Sequence, residues 1–216
     1  MIGNWFGKRK TTGASAGTAP PPPPPYRADN VTLRIKHTDF LKALQAHGVP
    51  PEQMPVTRPL CGDLLVSYAF DTPDQFVMAT PPLLAQAGVS LVDMEALVQA
   101  NFKGMFSAQL MTKSNRAGLM QVRTGQDLEA VMLVFDSFWS DHVKSQVKGD
   151  IVVCAPRRNV LLIADTAVAG TLEALREEAT LAFHQTRDAH ALSLQMMQWT
   201  DAGWVLHAPV NTGAPA

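Results

Sequence analysis

Apolar and polar residues change their spacing several times along the chain, and each spacing predicts a different element. Residues 31–35 alternate apolar and polar side chains, which is the period of a strand with one buried face. Residues 38–48 then repeat apolar side chains every three or four positions, which predicts a helix that ends at Gly48. The first two expected elements are therefore a strand and the helix that follows it.

The same two signals recur through the rest of the chain. Apolar runs bounded by turn residues predict strands at 64–70, 76–79, 107–113, 119–123, 151–155, 160–164, 194–200 and 204–207. Helical spacing predicts helices at 80–88, 90–102 and 124–143, and a further one from Thr171. Because strands and helices are intermixed and several strands are joined by short turns, we predict a single α+β domain. Its sheet is expected to be antiparallel or mixed and to pack against several helices.

The strongest helical signal lies in residues 124–143. Their apolar side chains keep the i, i+3, i+4 spacing over five turns, and further apolar residues widen the stripe. We therefore expect a central helix that is capped by Thr124 and Asp127 and covered on most sides. Trp139 is expected in the core, and the alternative is a partly exposed tryptophan that anchors a partner.

A different composition precedes this domain. Residues 11–30 are mostly small, polar or proline, and the run Pro20–Pro25 favours a short polyproline II rod. The expected role of this rod is a spacer, with recognition by an aromatic groove as the alternative. We predict a disordered, basic and proline-rich tail over 1–30, the folded domain over 31–210 and a flexible C-terminus over 211–216.

Composition and charge narrow the class of protein. Hydrophobic residues make up 46% of the chain and charged residues 17%, which favours an interface or a large buried core. The net charge is −1, but residues 1–30 hold a surplus of basic residues, so the rest of the chain is mildly acidic. Nucleic acid is therefore not expected as a partner, because phosphate binding needs clustered Lys and Arg.

The cysteines and the N-terminus bear on the compartment. Cys61 and Cys154 stand in apolar surroundings without a CxxC pattern, which favours buried free thiols and a reducing cytoplasm. No apolar run reaches membrane-spanning length. In residues 1–10 the charges follow the apolar residues, the reverse of a secretory signal. The same ten residues offer weak peripheral membrane contact as an alternative.

Three segments, taken together, resemble a known family. Residues 58–68 read RPLCGDLLVSY and lead into a DTPD turn, and residues 149–162 read GDIVVCAPRRNVLL. The pair Gly203-Trp204 follows near the end of the chain. This order resembles a bacterial family known as domain of unknown function 1444, over residues of about 55–207.

One residue departs from the family pattern. Asn159 stands where the Pro-x-Arg-Asp turn of that family usually carries aspartate. The resemblance implies a domain boundary and a bacterial origin. It implies no reaction, because the family has no established activity.

The chain lacks the usual metal-binding and phosphate-binding patterns. Its six histidines include no i, i+4 pair of the kind that binds zinc on a helix face. Neither cysteine carries a nucleophile signature, and no P-loop or dinucleotide-binding glycine motif occurs. We therefore predict no cofactor, no metal and no catalytic residue.

The adjacent arginines Arg157 and Arg158 are the local feature most suited to binding. In a tight turn, two guanidinium groups can grip a carboxylate or phosphate. The alternative is that one arginine pairs with Asp150, Asp165 or Asp63 and ties two segments together. A site formed by Asp63, Asp165 and one arginine would suit a hydrolase, with the arginine as an anion clamp.

These observations favour a non-catalytic domain that binds a protein partner inside the cell. By class, an immunity or accessory protein for a toxin or secreted effector is the expected role. The alternatives are the carboxylate and arginine hydrolase and a peripheral membrane protein.

Overall fold

The structure is a computed structural model that describes residues 24–72, 75–102, 111–116, 118–125, 127–185 and 190–207. These residues form two antiparallel sheets and several helices, so the predicted α+β fold is confirmed. The predicted tail up to residue 23, the membrane contact by residues 1–10 and the C-terminus from residue 208 lie outside the described residues.

The first sheet contains four strands from the N-terminal half of the chain. They are β1 (Val31–His37), β2 (Thr57–Cys61), β3 (Leu64–Asp71) and β4 (Phe76–Met78). β3 lies at the centre, with β1 on one side and both β2 and β4 on the other. β1 is therefore an edge strand, because no other described strand pairs with its second side.

The second sheet contains six strands from the C-terminal half. They are β5 (Met111–Lys113), β6 (Leu119–Val122), β7 (Ile151–Arg157), β8 (Val160–Asp165), β9 (Met196–Thr200) and β10 (Gly203–Leu206). The strand order is β10-β9-β7-β8-β6-β5. The pairs β5–β6, β7–β8 and β9–β10 are antiparallel neighbours, as their turn residues predicted.

Most of the helices are short, and in the sequence they lie between strands. They are α1 (Asp39–Ala46), α2 (Pro81–Ala87), α3 (Met94–Asn101), α4 (Asp136–Phe138) and α5 (Thr171–His184). α3 packs on β1, and α5 packs on β7 and β8. In the described part of the chain, no single helix has the length and apolar content to cross a membrane. α2 and residues Leu91–Asn101 reach those values only as a pair that is bent by 86°.

One hydrophobic core joins the two sheets. It combines alternate residues of the first sheet, such as Leu33 and Val66, with residues of the second sheet, such as Val153 and Ile163. A smaller cluster lies on the opposite face of the second sheet, where Leu175 of α5 covers it. The second sheet is therefore buried on both faces.

The segment that follows β6 differs from its prediction. In place of one helix over 124–143, the chain forms a 3₁₀ helix at Glu129–Val134, the short α4 and a π-helical turn at Trp139–Val143. The break falls at Phe135, whose ψ of 91° is extended. The predicted burial is confirmed, since all six residues of Glu129–Val134 are buried. The predicted helix is wrong, because apolar spacing reports burial and not which hydrogen bonds the main chain makes. We call Glu129–Val134 the buried segment.

Two tryptophans hold the buried segment in place. The indole N–H of Trp139 donates to the main-chain oxygen of Met132 at 2.8 Å, and that of Trp204 donates to Leu133 at 2.7 Å. The two indole rings pack edge to face, with centroids 4.8 Å apart. Trp139 is 0% exposed, so it belongs to the core, as expected. The alternative that it anchors a partner is wrong.

The caps predicted for this region form only in part. The Thr124 hydroxyl accepts the N–H of Leu128 at 3.3 Å. Asp127 instead has a φ of 55°, a left-handed conformation that aspartate tolerates better than most residues. Its carboxylate lies 3.9 Å from the guanidinium of Arg158, and no described side chain caps the 3₁₀ helix at Glu129–Val134.

The described fold begins before Val31, where the domain was expected to start. The ring of Tyr26 lies 5.3 Å from that of Phe70, centroid to centroid. The Asn101 side chain donates to the main-chain oxygens of Ala28 at 2.9 Å and of Val31 at 2.8 Å. Residues 24–30, expected in the tail, therefore contact the first sheet and α3.

An irregularity in β7 decides where its last side chains point. The register against β8 shifts by one residue between Cys154 and Arg157, around Pro156, which has no N–H to lose. Ala155 faces the core between the sheets, whereas Arg157 lies opposite Val160, which packs on the α5 side. The bulge therefore turns Arg157 to the face of the sheet that α5 covers.

We expect the two tryptophans to differ in what their indole N–H contributes to stability. Trp139→Phe should lower the free energy of unfolding by roughly 3 kcal/mol, because it removes the shorter of the two hydrogen bonds to the buried Met132 oxygen, leaving that from Phe135 N–H, and reduces core packing. Trp204→Phe should cost about 1 kcal/mol, because its hydrogen bond to Leu133 is only partly buried, so water can replace the indole N–H. Urea unfolding of both variants measures the difference, and equal losses would contradict this account.

Candidate functional site

The outward face of β1 carries two basic side chains. Leu33 and Ile35 point into the core, so Arg34 and Lys36 between them point the other way. Both are half-buried, and their cross-strand neighbours on β3 carry no charge. β1 therefore presents two cations close together on the outer side of the sheet.

A third cation comes from the turn between β7 and β8. The N–H of Arg158 donates to the main-chain oxygen of His190 at 2.9 Å, and its own oxygen accepts the N–H of Ala130 at 3.0 Å. Ala130 belongs to the buried segment. The core therefore fixes the position of Arg158.

These side chains line one cleft. It has a volume of about 240 Å³, and the lining residues that matter here are Arg34, Lys36, His37, Phe40, Arg158 and Leu192. We call it the basic cleft. A neighbouring cleft of about 230 Å³ shares Arg34 and continues along β1 to Asn30.

The cations in the basic cleft oppose one another. Burial, followed by the charge of Arg158, lowers the pKa of Arg34 to about 10, while the carboxylates of Asp71 and Asp127 act in the opposite direction. Burial likewise lowers the pKa of Lys36, and the charges of Arg158 and Arg34 add to the effect. Three positive charges are thus held where water screens them poorly, and a bound anion would relieve their repulsion.

The described residues compensate these charges only in part. Arg158 Nη2 lies 3.9 Å from Asp127 Oδ2, and Arg158 Nε is buried with no hydrogen-bond partner among the described residues. The Arg34 guanidinium stacks on the ring of Phe76, 3.8 Å from its centroid. Within the described ranges, neither Arg34 nor Lys36 forms an ion pair. The basic cleft therefore carries a positive charge that its own residues do not neutralise.

Asp63 lies beside the basic cleft, in contact with His37. Asp63 Oδ2 accepts the Ser193 hydroxyl at 2.8 Å and lies 3.3 Å from His37 Nε2. His37 Nδ1 accepts the N–H of Asp39 at 3.1 Å, which leaves the imidazole proton on Nε2, facing Asp63. The Asp63 carboxylate thus ties the β2–β3 turn to β1 and to the segment before β9.

Gln195 fixes the same turn. Its Nε2 donates to the main-chain oxygen of Cys61 at 2.8 Å, and its Oε1 accepts the N–H of Asp63 at 3.0 Å. Gly62 between them has a φ of 54°, and any side chain at this position would meet Gln195. The geometry around Asp63 is therefore that of a structural link between the two sheets.

Asp165 lies far from the basic cleft. It pairs with Ile151 at the start of β7, six residues from Arg157, which at the rise of a strand is roughly 20 Å. Asp165 and the arginines therefore lie at opposite ends of the β7–β8 hairpin.

The Asp165 carboxylate has a structural role at that end. It is 6% exposed and accepts the N–H groups of Lys148 at 3.0 Å, Gly149 at 2.9 Å and Ala167 at 3.0 Å. Burial alone would raise the pKa of Asp165, but these three hydrogen bonds outweigh it, and the pKa is lowered. The charged carboxylate holds the loop before β7 against the loop after β8.

The two arginines of the turn do not act together. Arg157 is 4% exposed and lies on the α5 side of the sheet, whereas Arg158 lines the basic cleft. Arg158 forms its ion pair with Asp127 and not with any of the aspartates expected from the sequence. The predicted convergence of Asp63, Asp165 and an arginine is therefore wrong.

The sequence predictions missed Arg34, Lys36 and Asp127. A usable signal exists for the first two, since basic residues at alternate positions of a predicted strand share one face. No such signal exists for Asp127, because its place beside Arg158 depends on a left-handed turn and on the packing of two distant segments.

Comparisons with known proteins add no assignment. No protein-family model, curated protein or solved structure matches the chain. The resemblance of residues 55–207 to domain of unknown function 1444 therefore stays a prediction. Within the described ranges, no three His, Cys, Asp or Glu side chains are grouped so that they could hold a metal ion. The basic cleft is the feature from which we infer a function.

We expect Asp165→Asn to destabilise the protein by about 2 kcal/mol at pH 7, because the amide NH₂ would meet a main-chain N–H donor. In the wild type, the lowered pKa contributes stability that is present above the unfolded value of about 3.9 and is lost as the pH falls through the folded value. The variant should lack this acid-dependent part. Urea unfolding between pH 7 and pH 3 checks both effects, with the exposed Asp150→Asn as the matched control.

Lys36→Met should stabilise the fold by about 0.5–1 kcal/mol at pH 7, because it removes a poorly solvated charge from beside two others. The lowered pKa of Lys36 makes its charge unfavourable at neutral pH, and this cost disappears as the pH rises towards about 10. The gain should therefore shrink in alkaline solution. Thermal unfolding from pH 7 to pH 10 measures it, and a loss of stability at pH 7 would contradict the account. Lys144→Met, at an exposed lysine 3.9 Å from Asp201, is the control.

Proposed function

We propose that this protein is a binding domain that takes an acidic segment of a partner protein into the basic cleft. The observation that carries this proposal is the meeting of Arg34, Lys36 and Arg158, from two sheets, around one cleft, where Asp127 is the one described carboxylate within ion-pair distance of any of the three. A partner carboxylate would gain charge-assisted hydrogen bonds from these donors. It would also remove the repulsion among them.

The size and setting of the basic cleft favour a protein over a nucleic acid. Three cations around a cleft of about 240 Å³ form a small positive patch, whereas binding of a nucleic-acid backbone needs a stripe of basic residues. The chain as a whole carries a net charge of −1. Phe40 and Leu192 add apolar surface that can contact neighbouring side chains of a peptide. These features suit a segment that alternates carboxylate and apolar side chains.

Among proteins with acidic segments, we propose an intracellular toxin or a secreted effector, with this protein as its immunity or accessory factor. This choice rests on analogy with other small α+β proteins and not on a residue of the basic cleft. The product of the adjacent reading frame should be toxic alone and harmless when coexpressed with this protein. Growth of the two strains measures it, and a harmless product argues against this partner class.

The binding proposal can be tested with a synthetic probe. The acetyl-Thr-Glu-Val-Glu-Val-Glu-Thr-amide peptide places carboxylates roughly 7 Å apart, the spacing of Arg34 and Lys36 along β1. We expect it to bind more tightly than the matched peptide with Gln in place of Glu. Arg158→Gln and Lys36→Gln should each weaken binding by about tenfold, and Asp127→Asn should strengthen it, because it frees Arg158. Calorimetry at two salt concentrations measures these changes.

Arg116→Gln is the control, since Arg116 is paired with Glu177 and Glu178 away from the basic cleft. It should leave the affinity unchanged. If the Glu peptide does not bind at about 1 mM, or if it binds the cleft variants as tightly as the wild type, the proposed function is wrong.

A further inference from the structure

Main-chain hydrogen-bonding groups of β1 that no described strand pairs lie along the basic cleft, where Ile35 is 2% exposed and His37 is partly exposed. Thr38 N–H donates to Asp63 O at 2.8 Å, which continues the β1–β3 ladder and shows that even-numbered residues of β1 point their main chain towards β3. The N–H and C=O groups of Ile35 and His37 therefore point away from β3. The oxygens of Val31 and Leu33 point the same way, and each is bound by a side chain, that of Asn101 at 2.8 Å and that of Arg34 at 3.1 Å.

No hydrogen bond within the described residues reaches the main-chain N–H or C=O of Ile35. Ile35 and His37 both line the basic cleft, together with the side chains of Arg34 and Lys36. The cleft therefore runs along the unpaired edge of β1. Its floor offers main-chain donors and acceptors, and its outer side offers cations.

The opposite wall of the basic cleft has a second unpaired edge. Leu192 N–H donates to Pro156 O at 2.9 Å, and His190 O accepts the N–H of Arg158 at 2.9 Å. Ala191 lies between these two residues and faces Arg157 of β7. Because its neighbours on both sides make the hydrogen bonds to β7, the N–H and C=O of Ala191 point away from β7. Ala191 lines the basic cleft.

We propose that the acidic segment of the partner binds as an added strand along β1, with main-chain hydrogen bonds to Ile35 and His37. Alternate side chains of this strand would share the outer face with Arg34 and Lys36, and these are the carboxylates. The side chains between them would face Leu192 and are apolar. This mode of binding rests on the proposed function and specifies how the acidic segment is recognised.

Charge decides which occupant fits this edge. Residues 1–30 of the chain carry a surplus of basic residues, including Lys8, Arg9 and Lys10, so the protein's own N-terminal segment would meet like charge. A second copy that paired through β1 would bring Arg34 and Lys36 against their own counterparts, which is unfavourable in a cross-strand pair. An acidic segment of another protein is the occupant whose charge complements the site.

Basic residues on an edge strand also discourage aggregation, and this explains Lys36 equally well. It does not explain Arg158, which comes from the other sheet and keeps a buried Nε without a hydrogen-bond partner among the described residues. Basic residues that only prevent edge pairing need no hydrogen-bond donor on the far side of the cleft. A site for an added acidic strand does need such a donor.

Amide hydrogen exchange of the full chain tests the binding mode, with the Glu peptide as the probe and the Gln peptide as its control. Bound peptide should slow exchange at the partly exposed His37 by about tenfold or more, and at Ile35, which is 2% exposed and already shielded from water, by a smaller factor. Arg34 and Lys36, whose amides already bond to β3, should change little. This alternation distinguishes an added strand from side-chain contacts alone. In the Glu peptide, N-methylation of alternate amides should abolish binding in one register and leave it largely intact in the other.

The outcomes separate the two proposals. If the Glu peptide does not bind, the proposed function fails and the added strand fails with it. If it binds in a way that depends on Arg158 but leaves exchange at Ile35 and His37 unchanged, the proposed function stands and the added strand is wrong. If protection of these two amides without peptide rises with protein concentration, a second copy occupies the edge and the proposal is overturned.

Discussion

The fold depends on hydrogen bonds to a stretch of main chain that is buried between the two sheets. Peptide groups in that position are costly unless each finds a partner. The indole N–H groups of Trp139 and Trp204 bind the carbonyls of Met132 and Leu133, and the oxygen of Arg158 accepts from Ala130. The chain can therefore form a broken helix in its own core. Because one of these bonds comes from the β7–β8 turn, the core also sets the position of the cleft cation.

The basic cleft follows from that arrangement. The first sheet brings Arg34 and Lys36 on an edge strand, and the buried segment holds Arg158 against them. The pKa of both β1 cations is lowered, which shows that the fold stabilises a positive region at some cost to itself. Natural proteins retain such destabilising features mainly at sites where binding of a ligand offsets them. Both carboxylate oxygens of Asp165 and one of Asp63 have hydrogen-bonding partners within the fold and tie loops together, while Asp63 Oδ1 is buried without a partner among the described residues.

The sequence was sufficient to predict the elements whose signals lie in neighbouring residues. The alternation of apolar and polar residues predicted β1, and the turn residues predicted the hairpins β7–β8 and β9–β10. Residues 124–143 were mistaken for one helix, because their spacing records burial on every side, while the hydrogen bonds that replace helical ones come from Trp204, 71 residues away from Leu133. The candidate site failed for a similar reason. Asp165 and Arg157 are close in sequence, but a hairpin sends them to opposite ends.

The bulge in β7 has a consequence for how this surface can change. A regular strand would keep Ala155 and Arg157 on one face, so Arg157 would enter the space between the sheets and Arg158 would turn to α5. Loss of Pro156 would remove the bulge but keep Arg157 opposite Val160, whereas regular pairing of residue 156 with Val160 would exchange the two arginines without altering any charge in the composition. Relatives of this protein could gain or lose the basic cleft by such a change of register. Counting arginines in their sequences would not reveal it.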